Sequence, residues 1–210
     1  MTGPHLVYFA DPMCSWCWGF SPVIEAITRR FGDALPVRLV LGGLRPGNIN
    51  AMTASDRAEI RAHWEHVGEA SGQPFDFSFF EREGFVYDTE PASRAVVVFR
   101  QQGMTSGLAA LARIQRAFYA ENRDVTAAEV LTDLAMELGM DELGFKTLFN
   151  DAAVAAETMQ DFALAQQAGI RGFPTLISGT GDQSGYALVT NGFQRADRLI
   201  PALTAWLETL

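Results

Sequence analysis

Ala10–Pro22 reads ADPMCSWCWGFSP and holds the two cysteines of the 210-residue chain, Cys14 and Cys17. Two residues separate them. Such a pair can be a redox couple, half of a metal site or two packed thiols. The flanking sequence gives it a setting. His5–Ala10 (HLVYFA) is a continuous apolar run with β-branched and aromatic content, a buried strand. Asp11-Pro12 breaks that strand. From Cys14 onward Phe20, Val23, Ile24, Ile27 and Phe31 recur at helical spacing, and Gly32 after Arg29-Arg30 is a helix stop. Pro22 lies inside this helix and is expected to kink it. Val37–Leu41 (VRLVL) reads as a second strand ended by Gly42-Gly43, so the opening segment is a parallel β-α-β unit with the cysteines at the start of its helix.

Beyond it the texture is helical. Ala54–Ser71, Glu90–Gln102, Gly107–Ala120, Thr126–Leu138, Asp141–Asn150 and Val154–Ala168 are the predicted helices, with short separators and no β-run. After Gly172, Pro174–Ser178 and Tyr186–Thr190 are short strands, and the loop between them, GTGDQSG, has hairpin chemistry. Gln194–Leu210 closes the chain as an amphipathic helix with Leu199, Ile200, Leu203, Trp206 and Leu207 on one face. The two outer pieces, 1–50 and 170–210, are expected to share one sheet, with 51–169 inserted between them as an all-helical block.

Hydrophobic residues make up 48% of the chain, which argues for a folded core. The formal net charge is −9, with no basic cluster, so neither nucleic acid nor an anionic membrane is an expected partner. No segment has the length of a membrane span, and MTGPHLVYFADPM lacks the charged start and apolar run of a secretion signal. The expected location is the cytoplasm, where structural disulfides are rare and a C-x-x-C pair is reactive or metal-binding.

A helix N-terminus presents unpaired N–H groups and partial positive charge, which favours a thiolate at Cys14. Cys17, one turn on, can reach back to it. The first cysteine would then be exposed and nucleophilic, and the second would resolve the mixed disulfide from a more buried place. Structural zinc takes four ligands and one C-x-x-C supplies two. His63 and His66 share a helix face, but within the polar run RAHWEHVGE they read as solvated. A metal shared between the pairs of two copies stays open. Gly42-Gly43 and GTGDQSG are not strand-to-helix phosphate loops, so nucleotide binding is rejected. Pro74–Tyr87 (PFDFSFFEREGFVY) reads as packing, with a groove wall facing the cysteines as the alternative.

The C-x-x-C at a helix start, the proline five residues after its second cysteine and the later GIRGFPTLI together resemble the thioredoxin superfamily. The helical insertion is similar to the DsbA family within it, in its cytoplasmic, FrnE-like branch. The resemblance implies a thioredoxin-like α/β fold with an inserted helical subdomain and a thiol–disulfide oxidoreductase or isomerase acting on protein or small-molecule thiols and disulfides. It makes Cys14 the attacking cysteine and Cys17 the resolving one. Pro174 becomes the cis-proline that holds substrate backbone and keeps metal away from the pair. Trp16, Phe173, Met13 and Thr175 become the surrounding contact residues, with Met13 adding apolar rim and Trp18 in the core. No metal or organic cofactor is implied; glutathione enters as a co-substrate.

Two departures bear on the chemistry. The acidic residue that the family carries six positions before the first cysteine is Tyr8 here, leaving Asp11, Glu25 or water as the proton acceptor. The histidine before the second cysteine is Trp16, which donates a hydrogen bond without positive charge and predicts a weaker oxidant than DsbA. Relatives on this fold also include glutathione-dependent isomerases and transferases of the kappa class, which use a serine where Cys14 stands; Ser15 is nearby. A redox-inert binding module is the remaining alternative.

Overall fold

A computed structural model of the chain describes residues 3–181 and 185–210. The middle of the expected hairpin loop, 182–184, lies outside the described residues. Strand β1 (His5–Ala10) leads to helix α1 (Ser15–Phe31) and strand β2 (Val37–Leu41). Six helices follow: α2 (Ala54–Ser71), α3 (Glu90–Arg100), α4 (Met104–Tyr119), α5 (Ala128–Glu137), α6 (Glu142–Phe149) and α7 (Ala152–Gln167). Strands β3 (Thr175–Gly179) and β4 (Tyr186–Asn191) and helix α8 (Ala196–Leu207) follow, and short 3-10 turns stand at Gly32–Ala34 and Phe77–Glu81.

The sheet order is β2-β1-β3-β4, with β1 parallel to β2 and antiparallel to β3, and β3 antiparallel to β4. The two outer pieces thus share one sheet, as expected. All six residues of β1 are buried. Leu6, Tyr8 and Ala10 face one core with α1, while Val7 and Phe9 face a smaller one with Val40 and Ala165. Covered on both sides, the strand reads as an unbroken apolar run rather than an alternating one.

Helix ends depart from the sequence expectations where local turns intervene. The residues after Arg100 turn out of α3 through backbone bonds from Gln102 to Phe99 and from Gly103 to Arg100. Gly103 then sits at φ +128°, which suits glycine, and α4 starts at Met104, three residues earlier than expected. Asp124 accepts from the Thr126 amide and hydroxyl, holding a turn that delays α5 to Ala128. Helix α1 continues as one element through Pro22 and stops at Gly32.

The helical block is tied to the sheet by buried polar contacts. Arg100 of α3 donates to the Leu39 carbonyl (3.0 Å) and pairs with Asp161 and Glu157 of α7; Asp161 accepts from the Leu41 amide at 2.8 Å. Elsewhere Trp64 of α2 gathers Phe75, Phe79, Phe80 and Tyr119 at centroid distances of 4.8–5.2 Å. The phenylalanine-rich stretch therefore packs as expected. His63 and His66 are exposed on α2. No helix among the described residues is long and apolar enough to cross a membrane.

Candidate active site

The turn between β1 and α1 is built by Asp11. Its backbone carbonyl accepts from the Cys14 amide (3.2 Å), and its carboxylate accepts from Met13 N–H (2.9 Å) on one oxygen and Leu44 N–H (2.8 Å) on the other. The carboxyl group is buried, and burial pushes its pKa up to about 6 against the hydrogen bonds from Leu44, Met13 and the Thr89 side chain. This tight turn also corrects one expectation. Met13, expected at the apolar rim, is fully buried, because the Asp11 hydrogen bond turns the chain and directs the side chain inward.

Cys14 is the N-cap of α1, and its carbonyl accepts from Trp18 N–H at 3.1 Å. Its side chain is less open than the sequence implies: the residue is only 7% exposed. The Cys14 thiol donates to the Phe173 carbonyl at 3.5 Å, which puts the sulfur directly beneath the loop before β3. Both cysteines are free thiols. Cys17 is fully buried. Burial pushes its thiol well up, a hydrogen bond and charge from Cys14 push it further, and the Asp11 backbone opposes them. A thiol so placed stays protonated until something removes its proton as it reacts. Tyr8, standing where the resemblance implies an acid, is buried and likewise held protonated by burial, then by the charge of Cys17 and Cys14.

The opposite wall comes from the Phe173–Pro174 loop, whose peptide is cis. The Pro174 carbonyl accepts from Gly192 N–H at 2.8 Å. Thr175 is buried, and its hydroxyl donates to the Gly172 carbonyl at 2.7 Å, so it braces the loop from within. Trp16 is half-buried beside Phe193, ring centroids 6.0 Å apart, and Trp18 is core, stacked on Tyr119. Phe173 is half-buried at the edge of a groove of about 510 Å³ with Gly42, Gly43, Leu44, Phe162 and Arg171. A Cβ on Gly42 would stand 2.0 Å from the Phe173 ring. Gly42→Ala should therefore displace that ring and cost roughly 1–3 kcal/mol of stability. Urea unfolding checks this; a variant as stable as the parent would show that the loop moves freely.

The helical block completes the site with Tyr87, Tyr119 and Gln73, which the sequence did not mark as site residues, although Tyr87 ends the stretch whose alternative reading is a groove wall facing the cysteines. Tyr87 donates to the Met13 carbonyl at 2.6 Å, and its oxygen lies 3.4 Å from that of Tyr119. Trp18 Nε1 donates to the Pro74 carbonyl, and Gln73 donates back to the Trp18 carbonyl, both at 3.1 Å. The cysteine loop is thus clamped between sheet and insertion. The available signal was Tyr87 at the end of the aromatic stretch, but nothing local says where its hydroxyl goes.

A parallel β-α-β start, a C-x-x-C at the helix N-terminus and a cis-proline loop over the first sulfur define a thioredoxin-like site with a helical insertion. The chain belongs to the DSBA-like thioredoxin domain family, whose profile matches residues 5–203. Among solved structures it is similar to a candidate protein disulfide isomerase from Nitrosomonas europaea, with 38% identity and a TM-score of 0.89, covering 99% of this chain and 98% of that one. It is also similar to the cytosolic disulfide reductase DsbM from Pseudomonas aeruginosa, solved alone and with GSH. For DsbM alone the identity is 26% and the TM-score 0.79, over 98% of this chain and 100% of DsbM. Among curated proteins, the ClpXP adapter protein SpxH of Bacillus subtilis is 24% identical over 174 residues. That alignment covers 82% of this chain and 57% of SpxH, so the chain spans little more than half the length of this relative.

Proposed function

We propose that the protein is a thiol–disulfide oxidoreductase in which Cys14 exchanges with substrate and Cys17 resolves. The observation that carries this is the Cys14 sulfur, at a helix N-terminus and 3.5 Å from the Phe173 carbonyl, with Cys17 buried one turn behind it. The Cys14 thiolate attacks one sulfur of a substrate disulfide. The other substrate sulfur leaves as a thiolate and takes a proton, and a mixed disulfide remains on Cys14. Cys17 then loses its proton and attacks the Cys14 sulfur. The second substrate thiolate leaves, and the Cys14–Cys17 disulfide holds the two-electron oxidation. Two equivalents of a small thiol such as glutathione return the pair to the dithiol.

Asp11 is the group matched to receive the Cys17 proton. It is buried, its charge reaches Cys17, and its carboxyl sits near neutrality. Glu25, the other acidic alternative, is exposed and paired with Arg29 at 2.8 Å. Phe173, joined to Pro174 by the cis bond, presents its backbone to substrate, and the groove beside it, with Arg171 on its wall, suits a glutathionyl or peptide chain. Similarity to the cytosolic reductase DsbM and its GSH complex supports reduction with glutathione in the cytoplasm.

The test is the fraction of Cys14–Cys17 disulfide in glutathione buffers of graded poise, read by alkylation. A reversible pair with a potential of roughly −200 to −270 mV is expected, because Trp16 brings no cationic stabilisation of the thiolate. A potential near −120 mV would mark a DsbA-like oxidant instead, and no disulfide at any poise would overturn the proposal. An adapter role is the second reading, favoured by the similarity to SpxH; it predicts that the protein works with both cysteines replaced by serine.

A further inference from the structure

A second cavity, of about 340 Å³, lies between α1 and α4 and shares no lining residue with the groove beside Phe173. Ile24, Leu108, Leu111 and Ala112 give it an apolar wall. Two polar side chains also line it, Tyr8 and Gln115, each only 1% exposed. The Tyr8 hydroxyl and Gln115 Nε2 are buried and make no hydrogen bond to a nitrogen or oxygen, the Tyr8 hydroxyl standing against the Cys17 thiol. Buried donors are nearly always satisfied, and a thiol is a weak acceptor, so these two on one cavity wall ask for a stronger acceptor inside it. The volume falls at the lower end of small-molecule sites, enough for one ring with short substituents.

The charge of the occupant follows from the surroundings. An anion would meet a mostly apolar wall, the Glu25 carboxylate among the lining residues and the two sulfurs next to Tyr8. A cation would leave the Gln115 N–H without an acceptor, and the Glu25 carboxylate that could hold it is exposed and already paired with Arg29. We propose that this cavity binds a small uncharged carbonyl compound, its hydrocarbon part among Ile24, Leu108, Leu111 and Ala112 and its oxygen accepting from Tyr8 and Gln115. The site stands behind the cysteine pair, on the face of β1 that carries Tyr8, and requires no redox step.

The test is a fluorine NMR titration of the full chain with para-fluoroacetophenone and with para-fluoro-α-methylstyrene, which replaces the carbonyl oxygen by a methylidene group. The ketone should bind saturably and the styrene at least about five-fold more weakly. Tyr8→Phe with Gln115→Leu should bring the ketone down to the styrene's affinity and leave the styrene unchanged. Ala112→Phe, which fills the cavity, should remove both; Ala109→Phe, at an exposed position on the same wall, serves if that variant does not fold. Equal affinity for the two probes would show an apolar cavity without a carbonyl site. No saturable ketone binding, or binding that survives filling of the cavity, would equally overturn the proposal. None of these outcomes depends on the redox behaviour of Cys14 and Cys17.

Discussion

Cys14→Ser should bring disulfide exchange down to the uncatalysed rate, a loss of at least about a thousand-fold, while Cys17→Ala should stop the reaction one step later. A serine oxygen cannot form the mixed disulfide, so the first variant has no covalent intermediate. The second keeps the nucleophile beneath the Phe173 carbonyl and loses only the group that releases it. It should therefore accumulate protein carrying substrate on Cys14, visible as a mass gain that a reductant removes. The pattern separates the three readings. Turnover of a glutathione conjugate that survives Cys17→Ala would favour an isomerase or transferase. Full function in both variants would leave only a binding module. Loss in the first with trapping in the second is the signature of dithiol exchange.

The parts of this site legible in the sequence are those written in short windows. HLVYFA, the break at Asp11-Pro12 and the helical recurrence from Phe20 to Phe31 are local signals, and they place Cys14 at the N-cap where the structure has it. GFPTLI is equally local, and the cis Phe173–Pro174 peptide stands over Cys14 as the resemblance implies. Legibility fails where the deciding partner is far along the chain. Asp11 reads as a strand breaker and as one of three stand-ins for the missing acid; its part in building the turn depends on Leu44, thirty-three residues on, which donates to its carboxylate. Met13 borders Cys14 in sequence and reads as rim; its burial depends on that same turn and on Tyr87, seventy-four residues away. Gly42 reads as a strand stop, yet its missing side chain is the space that the Phe173 ring occupies. Periodicity reports which face of an element is apolar and is silent on which loop another loop will touch.

Asp11→Asn should flatten the pH dependence of stability between pH 4 and pH 7 by about 3 kcal/mol relative to the parent protein. In the fold the carboxyl titrates near pH 6, against an ordinary value of 3.8, because it is buried. Between those two values the folded protein holds a proton that the unfolded chain has released. Stability from this group is therefore complete below pH 4, falls as the pH rises and is lost once the carboxyl ionises above pH 6. Asparagine cannot ionise, so its stability curve lacks that descent. Its amide can accept from only one of the Met13 and Leu44 N–H groups, which lowers the curve at every pH without tilting it. The slope is thus the readout, and urea unfolding at several pH values supplies it. The same substitution should slow resolution by Cys17 by roughly a hundred-fold above pH 6, where the parent carboxylate is free to take the proton. Unchanged slopes would show that Asp11 ionises as an ordinary carboxylate. A flattened slope with an unchanged resolution rate would confine Asp11 to shaping the turn and send the Cys17 proton to solvent by another route.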